Sequence, residues 1–413
     1  MVLFSHPTGN ANVRQAALGL ARAGLLGEFW TSLSYREPRV LGRLLPGAVN
    51  RQLRRRSYPA ELAPHLRTVP FRELGRLLAP RAGLRSLVRH ERGPFSVDAV
   101  YRSLDRAVAR RVAEGKFDTV YAYEDGAEFT FRAAGEHGML RVYDLPIGYW
   151  RAAREILQEE AQRLPEWAAT LAGNRDSAQK TDRKDAELAQ ADLVLAASSF
   201  TLKTLSHAPQ FSAPVVVLPY GAPTPATAFA PTQPRETKGH LRALFVGGLS
   251  QRKGLSYLFD ALRSLRGAAT LTVIGNRGQA SCDALDRELR DIRWIPSCPH
   301  SQVLEEMARH DVFVFPSLFE GFGLVLLEAM AMGLPIITTA HTAGPDLITD
   351  GIEGWIVPIR SSAAIAEKLL LLRNEPARLR AMSEAAAARA RTFTWEHYGD
   401  SVAACVSSAV NCR

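Results

Sequence analysis

Short apolar runs alternate with polar, helix-spaced stretches along almost the whole chain. VLFSH predicts a buried strand, and after the turn PTGNAN the Ala/Leu-rich VRQAALGLARAG predicts a helix. The alternation continues with FDTVYAYED, a strand ending at acids, then the helical FTFRAAGEHG and the strand LRVYDLP. The polar stretch from Arg151 to Asp192 is helical by composition, and ADLVLAASS gives a strand entering a Ser-capped helix, SSFTLKTLS. Strands alternating with helices predict a parallel sheet covered on both faces.

After VVVLPYGA the patterning stops. PTPATAFAPTQPRETKG is rich in Pro, Thr and Ala and has no apolar period, which predicts a linker. A second series follows: LRALFVGG, a helix from Leu255 to Leu265, ATLTVIGN, a helix around Leu285 to Leu289, IRWIP, a helix from Gln302 to Ala308, and DVFVFPS. PIITTA and GWIVPI are further strands, and the chain from Ala363 onward is mostly helical. No period of 20–50 residues repeats, which excludes a solenoid. The predicted fold is α/β, with two doubly wound, Rossmann-like parallel-sheet domains facing each other across a cleft. The N-terminal domain spans 1–218, the linker 219–238 and the C-terminal domain 239–385, and a last helix, 386–413, packs back towards the N-terminal domain. In such sheets ligands lie beyond the C-terminal strand ends, so both domains offer loops to one site.

The length of 413 residues, with 46% hydrophobic and 23% charged, is ample for two cores. The four cysteines (Cys282, Cys298, Cys405, Cys412) form no CxxC pair, which argues against a zinc site or disulfide framework and fits a reducing compartment. A strand directly after Met1 predicts no secretory leader, and the longest apolar run is broken by Glu328, Gly333 and Pro335. The expectation is a cytoplasmic protein.

Charge is distributed unevenly. The net charge is +9, yet Arg36 to Arg92 alone holds 14 Arg against four Glu, a net of +10. Within it, Leu74, Leu77 and Leu78, then Leu84, Leu87 and Val88, share helical spacing with Arg81, Arg85 and Arg89, predicting two basic amphipathic helices broken near Pro80. Two readings stay open: a solvated arginine face, or docking on anionic lipid headgroups at the inner face of the cytoplasmic membrane. Nucleic acid is disfavoured, because few aromatics are present to stack bases and no binding motif occurs.

The chemistry concentrates in FPSLFEGFGLVLLEAMAMGLP, where Glu320 and Glu328 sit among apolar residues. Burying a carboxylate without a partner costs several kcal/mol, so each needs one. Glu320 belongs to the loop after a strand, and Leu324 to Met332 has helical spacing that carries Glu328, too far along to cap the helix. A glycosidase pair fits poorly: in a continuous helix eight residues would part the carboxylates by about 12 Å, beyond the usual 5–9.5 Å. Two acceptors gripping hydroxyls of one ligand, with its anionic part at a helix start approached through glycine, fit better. A nucleotide-sugar has that arrangement.

The frame EGFGLVLLE resembles the E-x7-E signature of retaining glycosyltransferases with the GT-B fold, especially family 4. The similarity runs on through AMAMGLPIITT to DLITDGIEGWIVP, and FVGGLSQRKGLSYLFDAL resembles that family's phosphate loop. The resemblance implies that Glu328 binds ribose hydroxyls and Glu320 contacts the transferred sugar. It places the amides of Gly321, Phe322, Gly323 and Leu324 against sugar and diphosphate, and pairs Lys253 with the phosphates. Where the family often has Gly-Arg-Leu this chain has Gly247-Gly248-Leu249, so Arg252 is the substitute cation. The glycine-containing loop near the N-terminus suggests Gly9 and Asn10 beside the donor phosphate. A family acid or histidine at a central strand end maps to Asp125 or Glu124, whose plain alternative is a helix N-terminal acid. His6 and Tyr220 are weaker suggestions.

The resemblance further implies a nucleotide-sugar donor, a glycan or lipid-linked acceptor, transfer with retention, and no cofactor. No D-x-D occurs, so nothing in the chain asks for a metal. Gly9 stands without a GxGxxG, which weakens a dehydrogenase reading. A non-catalytic nucleotide-sugar-binding protein, a sugar-nucleotide epimerase and a glycan phosphorylase share the architecture and remain alternatives.

Overall fold

The computed structural model describes all residues except 36–52, 172–175, 223–239, 279 and 413. In the N-terminal domain the chain runs β1 (Val2–Ser5), α1 (Ala11–Arg22), β2 (Leu26–Thr31), β3 (Leu66–Thr68), α2 (Phe71–Leu78), α3 (Val97–Val112), β4 (Thr119–Tyr123), α4 (Glu128–Glu136), β5 (Leu140–Leu145), α5 (Trp150–Arg163), α6 (Ala178–Gln190), β6 (Leu193–Ala196), α7 (Ser199–Thr204) and β7 (Val215–Val217). The C-terminal domain follows with β8 (Leu241–Val246), α8 (Leu255–Ser264), β9 (Ala269–Ile274), α9 (Asp283–Glu288), β10 (Arg293–Ile295), α10 (His300–Arg309), β11 (Val312–Phe315), α11 (Val325–Ala331), β12 (Ile336–Thr339), α12 (Gly344–Leu347), β13 (Gly354–Val357), α13 (Ser362–Asn374) and α14 (Pro376–Ala390). A last helix, α15 (Trp395–Asn411), returns to α1, with Gly19 against Gly399 at the crossing.

Two parallel sheets result, ordered β3-β2-β1-β4-β5-β6-β7 and β10-β9-β8-β11-β12-β13. Central strands such as β4 (TVYAY) and β11 (VFVF) are buried at every residue, as expected when helices cover both faces. Both sheets share one winding: the chain starts in the middle, fills one side, then returns beside its first strand. The strand order therefore reverses between β1 and β4 in one domain and between β8 and β11 in the other. Such reversals open a crevice at the carboxyl strand ends. His6 and Glu124 follow β1 and β4, while Gly247 and Glu320 follow β8 and β11. The topology thus puts the candidate residues at the two crevices.

Some elements differ from the sequence reading. Where two basic amphipathic helices were expected around Pro80, the chain forms α2 and then a 3-10 turn at Arg85–Val88. Pro80 and Gly83, whose φ is +78°, interrupt the apolar period too soon for a second helix. The polar stretch from Arg151 is likewise cut, by Pro165, which opens a 3-10 helix (Pro165–Thr170) between α5 and α6. Residues 36–52 of the basic region and 223–238 of the expected linker lie outside the described residues. Ala222, the last described residue before 223–239, donates its N–H to the carbonyl of Phe393, just before α15, at 2.8 Å.

Candidate functional site

The loop after β8 is stitched to the end of β11. Leu318 N–H and Ser317 Oγ donate to the Arg252 carbonyl at 2.8 and 3.1 Å. Gly254 ends this loop in the left-handed region, φ +69°, with Pro316 O only 2.1 Å from where a Cβ would stand, so a side chain is excluded on both counts. The stitching brings both cations of the loop to Glu320. Lys253 Nζ contacts Glu320 Oε2, and Arg252 Nη1 lies 3.3 Å from Oε1 while donating to the Phe319 carbonyl at 2.8 Å. Lys253 Nζ also lies 4.6 Å from the Phe315 ring centroid.

Lys253 is buried and Arg252 half-buried. Burial, and then the neighbouring guanidinium, push the Lys253 ammonium well below its ordinary value, and burial lowers Arg252 too; a carboxylate in contact, as Glu320 is with Lys253, favours the charged ammonium. Two cations against one carboxylate leave a local excess of positive charge in a poorly solvated place. A dianionic ligand would relieve it.

Glu328, on α11, meets a different partner. His300 Nε2, at the first residue of α10, lies 2.9 Å from Glu328 Oε1, and that hydrogen bond raises the imidazole above its usual value. The two glutamates of the E-x7-E frame therefore face separate basic side chains. Helix α11 begins at Val325, one residue later than the spacing implied. His300 was not singled out from sequence; its place directly after β10, at the same strand edge as the other loops, was the available signal.

The turn Gly321-Phe322-Gly323-Leu324 packs against the N-terminal domain. A Cβ on Gly321 would stand 1.9 Å from Pro146 O, and its carbonyl accepts from Ser198 Oγ and, at 3.2 Å, Thr201 Oγ1. Phe322 lies on the Tyr220 ring at 4.8 Å, and Asn12 Nδ2 donates to the Tyr220 hydroxyl at 3.3 Å.

On the N-terminal side, Glu124 is half-buried, its side chain little exposed, with Lys184 Nζ at 3.1 Å. Asp125, at φ +72°, turns into an ion-pair network with Arg183, Lys180 and Lys184 of α6, at 3.4–3.7 Å. The start of α4 is held by other acids. Glu187 accepts from the N–H groups of Asp125, Ala127 and Glu128, and Asp105 from those of Phe129 and Thr130. The plain alternative for Glu124 and Asp125, a helix N-terminal acid, is thus filled by residues remote in sequence.

Gly9 is buried with the Tyr58 ring 2.6 Å from a would-be Cβ, and Asn10 is exposed at the start of α1. His6 is buried beside the rings of Tyr123 and Tyr101, and burial pushes it down to about 4, so it is neutral near pH 7.

Between the domains lies a cavity of about 530 Å³, lined by Glu124, Trp150 and Lys184 on one side and Gly248, Arg252 and Asn276 on the other. That volume suits a small polar ligand. Nothing stands within 4 Å of a would-be Gly248 Cβ, so the position where the resembling family often carries arginine opens to space, with Arg252 on the same wall. Among the described residues, one His/Cys/Asp/Glu group is close enough to share a metal ion, His90, Glu91 and Asp176. Asp176 there is already 3.0 Å from Lys180, and neither Glu320 nor Glu328 takes part.

Residues 229–389 match the family model described as glycosyl transferases group 1. Among curated relatives, the amylovoran biosynthesis glycosyltransferase AmsK of Erwinia amylovora is 31% identical over 170 residues, 38% of this chain and 42% of the relative. A sucrose synthase of Acidithiobacillus caldus is 34% identical over 173 residues, 36% of this chain and 22% of the relative. The chain thus spans less than half the length of these relatives. Solved structures extend the likeness to the whole fold. Sucrose-phosphate synthase from Thermosynechococcus elongatus superposes with a TM-score of 0.70 at 17% identity, covering 100% of this chain and 99% of that one. Anabaena Alr3699/HepE, solved in complex with UDP and glucose, gives 0.61 at 17% identity over 98% and 99%. The two-sheet fold is therefore GT-B, and its C-terminal half, residues 229–389, matches the glycosyl transferases group 1 family.

Proposed function

We propose that the protein is a retaining, metal-independent glycosyltransferase, of family 4 type. It moves a sugar from a nucleoside-diphosphate sugar to a glycan or lipid-linked acceptor in the synthesis of cell-surface polysaccharide or glycolipid. The observation that carries this reading is the convergence of Lys253 and Arg252 on Glu320 at the β8/β11 reversal. The excess positive charge there suits a diphosphate, and Glu320 and Glu328 supply acceptors for sugar and ribose hydroxyls.

In the reaction the sugar–phosphate bond breaks and negative charge grows on the leaving diphosphate. Lys253 and Arg252, held by the fold before the reaction starts, stabilise that charge without reorganising. Attack by the acceptor hydroxyl from the same face, with its proton passing to the leaving phosphate, gives retention and needs no separate base. The acceptor enters from the cavity between Glu124, Trp150 and Arg252.

The protein works in the cytoplasm at the inner face of the membrane. Support comes from α2 and the turn after it: Phe71 (70% exposed), Leu74, Leu78 (57%) and Leu84 (52%) stand in solvent beside exposed Arg81, Arg85 and Arg89. Apolar side chains flanked by cations fit an anionic bilayer surface. Among the described residues no helix is long and apolar enough to cross a membrane.

The test is incubation with UDP- and GDP-sugars, with and without polyprenyl-linked or soluble glycan acceptors. Release of nucleoside diphosphate that requires acceptor, and a product with the donor's anomeric configuration by NMR, are expected. Binding without any turnover would favour a non-catalytic nucleotide-sugar-binding protein, and an altered free nucleotide-sugar an epimerase.

A further inference from the structure

Helix α5 belongs to the N-terminal domain, yet its end is buried in the other one. Glu160, in its last turn, is 0% exposed. Its Oε1 accepts from Gln251 Nε2 at 2.8 Å and the Tyr257 hydroxyl at 2.9 Å, and its Oε2 accepts from Arg360 Nε at 2.7 Å. Arg360 also donates to Glu159 Oε1 at 2.7 Å and to the Ile156 carbonyl at 3.3 Å. Its φ of +62° lies in a region that residues with a Cβ seldom occupy, so the backbone is held there while the side chain grips α5. Next to this grip, Trp167 stacks on Phe259 at 6.1 Å and Cys282 Sγ donates to the Glu166 carbonyl at 3.2 Å.

Gln251 is the joint between this contact and the candidate donor site. It too is fully buried. Besides Glu160, its Nε2 donates to Ser256 Oγ at 2.6 Å and its Oε1 accepts from Ser256 N–H at 3.0 Å, satisfying a free amide at the start of α8. Its own N–H donates to Thr170 Oγ1 at 2.9 Å, again across the domain boundary. Gln251 opens the single 3-10 turn Gln251–Lys253, so the residues directly after it are the two cations that face Glu320. The turn is thus held from both sides: the Arg252 carbonyl is stitched to Ser317 and Leu318 of its own domain, and Gln251 is tied at backbone and side chain to the N-terminal domain.

We infer that Glu160 is a positioning residue, through which the N-terminal domain holds the cationic turn of the donor site in register by way of Gln251. The inference rests on reading Arg252 and Lys253 as the diphosphate-binding pair. Donor capture is then linked to domain packing: a donor diphosphate meets correctly aimed cations only while α5 is seated on the C-terminal domain.

Gln251→Ala tests this, because it frees the turn while leaving Glu160 its contacts to Arg360 and Tyr257. UDP and GDP are titrated by calorimetry into the full-length protein. Whichever nucleotide the wild type binds should bind Gln251→Ala at least tenfold more weakly, and the donor KM should rise with the acceptor KM unchanged. Thr170→Val removes the acceptor of the Gln251 N–H, along with the hydroxyl's own bond to the Trp167 carbonyl at 2.7 Å, and leaves the Gln251 side chain in place; it should show a smaller loss in the same direction, and it carries the test should Gln251→Ala not fold. Variants that lose melting temperature but keep the wild-type nucleotide Kd and donor KM would overturn the inference while leaving the donor reading intact. A wild type that binds neither nucleotide would overturn the donor reading first, and this inference with it.

Discussion

Lys253, Glu320 and Glu328 carry the account residue by residue. Lys253→Ala removes one charge-assisted contact to a diphosphate, about 1.5–3 kcal/mol, which converts to a loss of roughly 10- to 150-fold in kcat/KM for the donor. Unchanged turnover in a folded variant would strike Lys253 from the site. Glu328→Ala should chiefly raise the donor KM and Glu320→Ala chiefly lower kcat; the reverse pattern would exchange their roles. The Glu328–His300 pair makes a pH prediction. Its partner raises the His300 imidazole, so the ionic form of the pair is complete below the ordinary value of 6.5 and is lost as pH rises through the raised one. His300 is largely exposed, which limits its effect on stability to a few tenths of a kcal/mol. An NMR titration should place His300 above 6.5 in the wild type and bring it back down in Glu328→Gln; no difference between the two would contradict the pair. The glutamates and Lys253 could be singled out as candidates in the sequence because each sits in a short local motif. Their partners and supports could not: His300 lies 28 residues from Glu328, and Arg360 lies 200 from Glu160. Such pairings are fixed by sheet order and domain packing, which no local pattern records.

Among the elements, the central strands and their order of appearance followed from apolar patterning, because strands such as β4 and β11 are short, continuously buried runs; β2 and the largely exposed β3, which lack such a run, were not singled out. Where the reading went astray, breakers were at work. Pro80 and Gly83 reduce the expected second basic helix to the 3-10 turn Arg85–Val88, and Pro165 divides the stretch between α5 and α6. The shortened basic segment still presents an apolar ridge: Phe71, Leu74 and Leu78 recur on the exposed side of α2 while Leu77 faces inward. In a flotation assay the protein should associate with vesicles containing phosphatidylglycerol and less with neutral ones. Replacing Arg85 and Arg89 by Ser should weaken binding about 30-fold, at about 1 kcal/mol per basic side chain, and raised salt should weaken it further. Equal partition of wild type and variant would assign this face to solvent, and concentration-dependent dimers without vesicle binding would assign it to a second copy of the chain.

The whole molecule is two sheets of identical winding whose reversal points bring loops from both domains to one region. This much was readable from the alternation of strands and helices. How firmly the halves are joined was not. Glu160 with Arg360, Gly321 against Pro146, and α15 on α1 each tie the halves through residues that a linear reading treats as ordinary helix or loop. Ligand occupancy should therefore be felt by the molecule as a unit. A donor at one hundred times its Kd adds about 2.7 kcal/mol to the folded state, a rise of several degrees in melting temperature. The most direct measurement is a crystal structure of the protein soaked with the nucleotide-sugar that gives the largest such rise. The account predicts the diphosphate within hydrogen-bonding distance of Lys253 and Arg252, the ribose hydroxyls on Glu328 and the sugar beside Glu320. A nucleotide-sugar bound elsewhere, with Lys253 still closed on Glu320 and no phosphate near either cation, would contradict it.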